Sequence, residues 1–217
     1  METLNHISQT LALTMGVAWA SGINLYATLL TLGILGTTGD ITLPPGLEVL
    51  THPLVIGAAG LMYCVEFFAD KTPGVDTGWD AIHTFIRIPA GAMLAAGAIG
   101  ELSPAAEITA AILGGGLAAG THATKAGTRV LINTSPEPFS NWTASIAEDI
   151  AVIAGVWASL HHPVLFIGFL IVFVLLMIWL LPKLWRGIKK VFGTLARLFG
   201  GGKEESLPKL EQRNGGG

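Results

Sequence analysis

Four carboxylates in this sequence stand in or beside apolar runs, where charge is costly. Glu66 lies within the run from Pro53 to Ala69, and Asp70 follows it directly. Four residues apart on a helix, the two side chains project from one face, a turn from each other. Glu148 and Asp149 lie inside a second run, Ala144 to Leu160, and being adjacent point about 100° apart, towards two different neighbours. Carboxylate oxygens suit a hard divalent cation such as calcium, magnesium or manganese. Burial and like-charge proximity also raise carboxyl proton affinity, as proton coupling requires. Ionisable groups inside a membrane span usually mark a functional site. The expected ion-binding set is Glu66, Asp70, Glu148 and Asp149, which also form the expected metal ligands, joined by Asn24 and Thr28. Lys71, Arg87, Lys125, Arg129 and His122 are the expected supporting residues. The alternative is a purely structural network. Around the four acids Asp76 and Asp80 make six, against the four bases, so charge balance admits a cation without demanding one.

The rest of the chain must hold these groups in a bilayer. Of 217 residues, 51% are hydrophobic and only 12% charged, and the mean hydropathy is +0.61, too apolar for an ordinary soluble domain. The net charge of -3 is small and says little about partners, and no nucleic acid is expected among them. The one cysteine, Cys64, has no partner for an internal disulfide, and the first residues lack the basic region of a cleaved signal peptide.

Two runs without a charge are long enough to span: the 25 residues from Leu11 to Leu35 and the 19 from Pro163 to Leu181. Pro53 to Ala69, Ala81 to Ile99, Ala105 to Ala126 and Ala144 to Leu160 are plausible further spans, making six. Turn chemistry separates them at Gly36 to Asp40 with Pro44-Pro45-Gly46, at Pro73-Gly74, Ser103-Pro104, Ser135-Pro136-Glu137-Pro138 and His162-Pro163. Alternate loops lack Lys and Arg, whereas Lys71, Arg87, Lys125, Arg129 and all later bases fall beside the others. The positive-inside tendency then predicts both termini in the cytoplasm of a bacterial inner membrane. The triplets Asn133-Thr134-Ser135 and Asn141-Trp142-Thr143 would face the same side and are taken as chance matches to a glycosylation motif.

Within the first span Thr14, Ser21, Asn24, Thr28 and Thr31 share a face, which should look into the bundle. Ser21-Gly22 either breaks this helix, as in transporters, or leaves it unbroken with its small face on a neighbour; the unbroken helix is the simpler expectation. Pro89 should kink the third helix or end its first segment, and Asp80 either extends the site, with Asp76, or caps that helix. Gly116 and Gly120 in the fourth helix have the small-xxx-small spacing of a close helix contact and nominate a homodimer face. His52, His161 and His162 precede prolines on the opposite side, as interface histidines or a metal-entry cluster. Past Pro182, residues 183–199 alternate bases with an apolar face of Leu184, Ile188, Val191, Leu195 and Leu198. They predict an interfacial amphipathic helix on an anionic leaflet, followed by a disordered tail over 200–217.

The six spans divide into halves, 9–101 and 104–181. Ser21-Gly22-Ile23-Asn24 matches Ala119-Gly120-Thr121-His122, and the acids come second in each half. Three spans per half would insert the second copy upside down, the inverted-repeat plan of many secondary transporters. Ser21 to Thr28 and Glu66 to Lys71, with this layout, resemble a family of small bacterial membrane proteins without an assigned function, over residues 9 to about 181. More distantly, Glu66-Phe67-Phe68-Ala69-Asp70-Lys71-Thr72 is similar to the Glu-x-Gly-Asp-Lys-Thr signature of the calcium/manganese-proton exchangers. That family has six helices in two inverted halves, and its acids bind the cation. Glu66, Asp70, Lys71 and Thr72 match; one extra residue separates the acids, and Ala69 replaces the glycine. The second signature is represented only by Glu148-Asp149.

No His-Glu-x-x-His, Gly-x-Ser-x-Gly, phosphate loop or cysteine pair is present, so no enzyme is expected. The expectation is an all-α membrane protein of six transmembrane helices in two inverted three-helix repeats, residues 1–182, with a C-terminal amphipathic helix. Its expected function is cation/proton-coupled secondary transport of a divalent ion, with no resident cofactor. The second expectation is a non-transporting scaffold or lipid-handling protein.

Overall fold

The computed structural model describes residues 2–100, 102–134 and 139–200; the expected tail over 200–217, apart from Gly200, and the turn over 135–138 lie outside the described residues. The described residues are all helical, in the order α1 (Glu2–Ile23), α2 (Leu25–Thr38), a 3-10 helix (Pro45–Thr51), α3 (Pro53–Ala69), α4 (Val75–Ala98), α5 (Pro104–Ile132), α6 (Phe139–His161) and α7 (Pro163–Gly200). Three helices are long and apolar enough to cross a membrane: α4, α6 and α7 as far as Thr194. The 3-10 helix and α3, bent by 71°, meet the same test together as a fourth. Such helices are those of a membrane protein. Six uniform spans are not established by this test: the Leu11 to Leu35 run is divided between α1 and α2, and α5 is not among the helices that meet it.

The run from Leu11 to Leu35 is not one helix. Asn24 adopts an extended conformation (φ -144°, ψ 99°) and its Oδ1 accepts from the Ala27 N–H, making it the N-cap of α2. The chain then doubles back. His6, Gln9 and Leu13 of α1 line one cavity with Ile41, Ala98 and Ser159. Near its end α2 brings Gly36 against Leu43 and Thr51, beside the start of α3. Both outer ends of the pair therefore lie at one end of the bundle, and the Asn24 vertex is buried towards the other.

The remaining helices alternate in direction. At the opposite end from His6, Leu184 of α7 packs on Gly127 near the close of α5. The N-terminus and the end of α7 thus lie at opposite ends of the bundle, rather than on one side as the loop charges predict. The directions of α2, α3 and α4 are opposite to those of α5, α6 and α7 in turn. However, α1 has no counterpart, so the two halves are not equivalent.

Small residues let α1, α4 and α5 approach at backbone distance. A Cβ on Gly114 would fall 2.3 Å from that of Ala95, and one on Gly91 would fall 2.4 Å from that of Ala118. The expected pair behaves differently: Gly116 faces open space and Gly120 faces the Met177 sulfur of α7. Gly114 and Gly115 make the close approach to α4 instead. Trp19 of α1 fills the gap towards α7, with its ring edges on Phe166, Phe169 and Phe173 at 5.4–5.9 Å.

Neither internal proline ends its helix. α4 passes through Pro89, and α7 passes through Pro182 as one helix of 38 residues. The segment past Pro182 is therefore an extension of α7, not a separate helix lying on the leaflet. Part of its apolar face is occupied, since Leu184 and Ile188 contact Gly127 and Gly187 meets Leu131, while Trp185 and Phe192 stay exposed. The side chains expected to continue that face, Leu195 and Leu198, lie outside the described residues.

Candidate ion-pair site at the helix break

The end of α3, the first turns of α4, the last turns of α5 and the middle of α6 converge on the Asn24 vertex. Each supplies charge. Arg87, fully buried on α4, donates from Nη2 to Glu66 Oε1 at 2.6 Å and from Nη1 to Asp80 Oδ1 at 3.1 Å. Arg129, fully buried on α5, donates from Nη2 to Glu148 Oε2 at 2.6 Å, and its Nη1 reaches the Asp70 carbonyl and the Asn141 side chain. The planar guanidinium fork allows each arginine to join two or more helices in this way.

Lys125 lies between the arginines. Its Nζ is 2.6 Å from Asp70 Oδ2, 3.6 Å from Glu66 Oε1, 3.6 Å from Glu148 Oε2 and 3.8 Å from Asp80 Oδ1. It also donates to the Ile23 carbonyl at 3.1 Å. That carbonyl ends α1, and with no further helical turn to bond to it, the lysine satisfies it. The helix break and the charge network are thus one structure. Asn24 adds a second tie, donating from Nδ2 to Asp149 Oδ1 at 3.0 Å.

Asp149 also faces Lys71, at 4.0 Å, while Lys71 donates to Ser145 and lies over the Phe67 ring. In the turn after α3, burial pushes the Lys71 ammonium below its ordinary value, against the pull of the Asp149 and Asp70 carboxylates. Thr28 contributes less directly: its hydroxyl donates to the Asn24 carbonyl and locks the first turn of α2. His122 serves Arg87. A guanidinium can only donate, so His122 Nδ1 accepts from Arg87 and Nε2 carries the proton towards the Thr84 hydroxyl, which donates on to the Asp80 carbonyl.

All the expected ion-binding and supporting residues are therefore within one network, but not as a cation cage. Among the described residues no three histidine, cysteine, aspartate or glutamate side chains converge as a set of metal ligands. The expected metal set of Glu66, Asp70, Glu148 and Asp149 is divided between basic partners, with the Lys125 ammonium at the point shared by Glu66, Asp70 and Glu148. Asp149 instead pairs with Asn24 and Lys71. Several charged atoms keep no partner, among them Glu66 Oε2, Asp70 Oδ1 and Asp80 Oδ2.

Other residues take unexpected parts. Asp80 belongs to the network and is not a cap, because α4 begins a turn earlier, after Gly74. Asp76 is fully buried and accepts from its own Gly74 and Thr77 N–H groups and from the amides of Asn133 and Asn141. Those two asparagines head the glycosylation-like triplets, and both are committed to this clamp. The pairing across α4, α5 and α6 has no signal in the local sequence, because it joins residues 56 to 65 positions apart. His83 was also missed: Nδ1 donates to the Trp79 carbonyl, leaving Nε2 to accept from the Tyr26 hydroxyl. At the far end His52 accepts from the Leu54 N–H, and His161 bonds the Trp157 carbonyl and stacks on its ring, so both have local structural roles.

No curated protein and no solved structure matches the chain, and a likeness to the calcium/manganese-proton exchangers is not shown. One family model does match, a domain of unknown function (DUF4126), over residues 11–183. That stretch takes in α2 to α6 entire, most of α1, the first half of α7 and the whole ion-pair network, and the chain belongs to this family.

Proposed function

We propose that the chain is a small cation carrier of a bacterial inner membrane, in which Lys125 is a tethered cation that a transported ion must displace. The observation that carries this is the oxygen shell around the Lys125 Nζ: the Ile23 carbonyl at the helix break and four carboxylates within 4 Å. Half-helix ends and freed carbonyls at such a break are what secondary transporters use to hold ions. Taking so many ions out of water costs several kcal/mol each, more than fold stability alone explains. The substrate of this reading is a small hard cation, with a divalent ion preferred for the number of carboxylates, and protons on those carboxylates are the counter-species. With the basic end cytoplasmic, the N-terminus lies on the other face. A homodimer would use the exposed strip of α5 at Gly116.

A second reading, a non-transporting scaffold, is favoured by the division of the acids among bases that already neutralise them. Flux into proteoliposomes separates the two. Under the carrier reading the wild type dissipates an inward manganese or calcium gradient and alkalinises the lumen, because protons leave in exchange. Glu66→Gln abolishes that flux while the helical content and detergent-extracted size are kept. A folded wild type that moves neither ion nor protons leaves the scaffold.

A further inference from the structure

Outside the ion network, a cavity of about 730 Å³ opens between the α7 extension, the close of α5 and the turn that starts α4. From its position and lining we infer that it holds one anionic phospholipid, with the phosphate on Lys190. The volume is in the range of small-molecule sites. Val130, Val191 and Phe192 make its walls apolar, and Thr77, Thr134 and Lys190 supply the polar groups. Among the described residues its lining contains a cation and no acid. Asp76, next in sequence to the lining Thr77, is fully buried with both oxygens committed to the asparagine clamp.

Depth decides between a lipid and a soluble anion. Trp179 and Trp185 are both exposed on α7, with the Lys183 ammonium 3.0 Å from the Trp179 ring centre and that of Lys189 5.2 Å from Trp185. Exposed tryptophans beside lysines are the belt of a membrane interface. Lys190 lies five residues beyond Trp185, roughly 8 Å along the helix, which is the thickness of a headgroup layer. Phe192 is 60% exposed at the rim, an apolar wall where glycerol and the first acyl carbons would lie. Lys183, Arg186 and Lys189 add to an anion-attracting field along the same helix. Leu184 and Ile188 of this extension pack on α5, while Val191 and Phe192 line the cavity and place the recognition there.

Native mass spectrometry of the full chain in detergent tests this, with phosphatidylglycerol and phosphatidylcholine titrated separately. The expected result is one phosphatidylglycerol retained per chain, with at least roughly fivefold preference over phosphatidylcholine. Lys190→Glu, at an exposed position, should weaken that retention roughly tenfold by replacing an attraction with a repulsion, and leave phosphatidylcholine unchanged. Val191→Trp should weaken it by filling the cavity, whereas Lys183→Glu, outside it, should change it less than twofold. Equal retention of the two lipids overturns the inference, as does a Lys183→Glu effect as large as that of Lys190→Glu. Displacement by glycerol phosphate at the same concentration would mean a free phosphate site and overturns the lipid assignment.

Discussion

The closing turns of α5 and the middle of α7 run in the same direction in one bundle and are built from opposite materials. On α5, Lys125 and Arg129 are sealed among carboxylates from α3, α4 and α6, and glycines bring the neighbouring backbones within touch. On α7, Val172, Leu175 and Leu176 stand more than half exposed along a stretch without a charge. In lipid an apolar side chain loses little by being exposed, because the tails outside are as apolar as a leucine interior. A buried ion has no such latitude, since its partner sets its cost. The molecule therefore concentrates its intolerance to change in α1, α4 and α5, and α7 is free to vary in identity provided that it stays apolar.

Breaking a charge pair should show the contrast most strongly. Arg87→Met leaves Glu66 and Asp80 with fewer cations in a fully buried setting, and should cost about 3–5 kcal/mol in unfolding in detergent. The double variant Glu66→Gln with Arg87→Met should recover part of this loss; a double variant worse than the sum of the singles would show that the pair is not the unit. Next in size is the backbone contact. A Cβ on Gly22 would lie 1.8 Å from Thr121 Oγ1 and 2.5 Å from the Ala118 carbonyl, so Gly22→Ala should destabilise by about 1–3 kcal/mol. Gly116→Ala, in open space, should not; equal effects of the two would remove the distinction between seam and outer face.

Asn24→Ala removes the cap of α2 and the partner of Asp149, and about 1–2 kcal/mol should follow. Amide exchange at Leu25 to Ala27 should speed up more than exchange elsewhere in α2; uniform acceleration would mean that the break is not held by this residue. At the small end, Leu175→Ala on α7 should stay within about 0.5 kcal/mol of wild type by the same unfolding measurement. A loss above 2 kcal/mol there would sink the account of α7 as a lipid-facing helix.

Much of the site was legible because charge in an apolar chain is rare. Glu66, Asp70, Glu148, Asp149 and four bases stand out on any reading, and their common end follows from loop order. Pro53 and Pro163 mark true helix starts, since a first-turn proline forgoes an N–H with no helical partner. Less legible were the places where two physical tendencies compete. Ser21-Gly22-Ile23-Asn24 can continue a helix or end one, and the choice rests on whether Asn24 caps locally and Lys125 takes the freed carbonyl. Pro182 weakens a helix without stopping it when the next residues, Leu184 and Ile188, have α5 to pack on.

What the sequence determined by itself is the material: an apolar, all-helical chain, the helix starts at Pro53 and Pro163, and a small set of ions that must meet because none can be left alone in lipid. The tertiary structure decided where the chain turns back, which end holds the N-terminus, and who neutralises whom. Those outcomes depend on a lysine on one helix reaching a carbonyl 102 residues away. No periodicity or local propensity encodes such a contact, because its free energy exists only after the helices have come together.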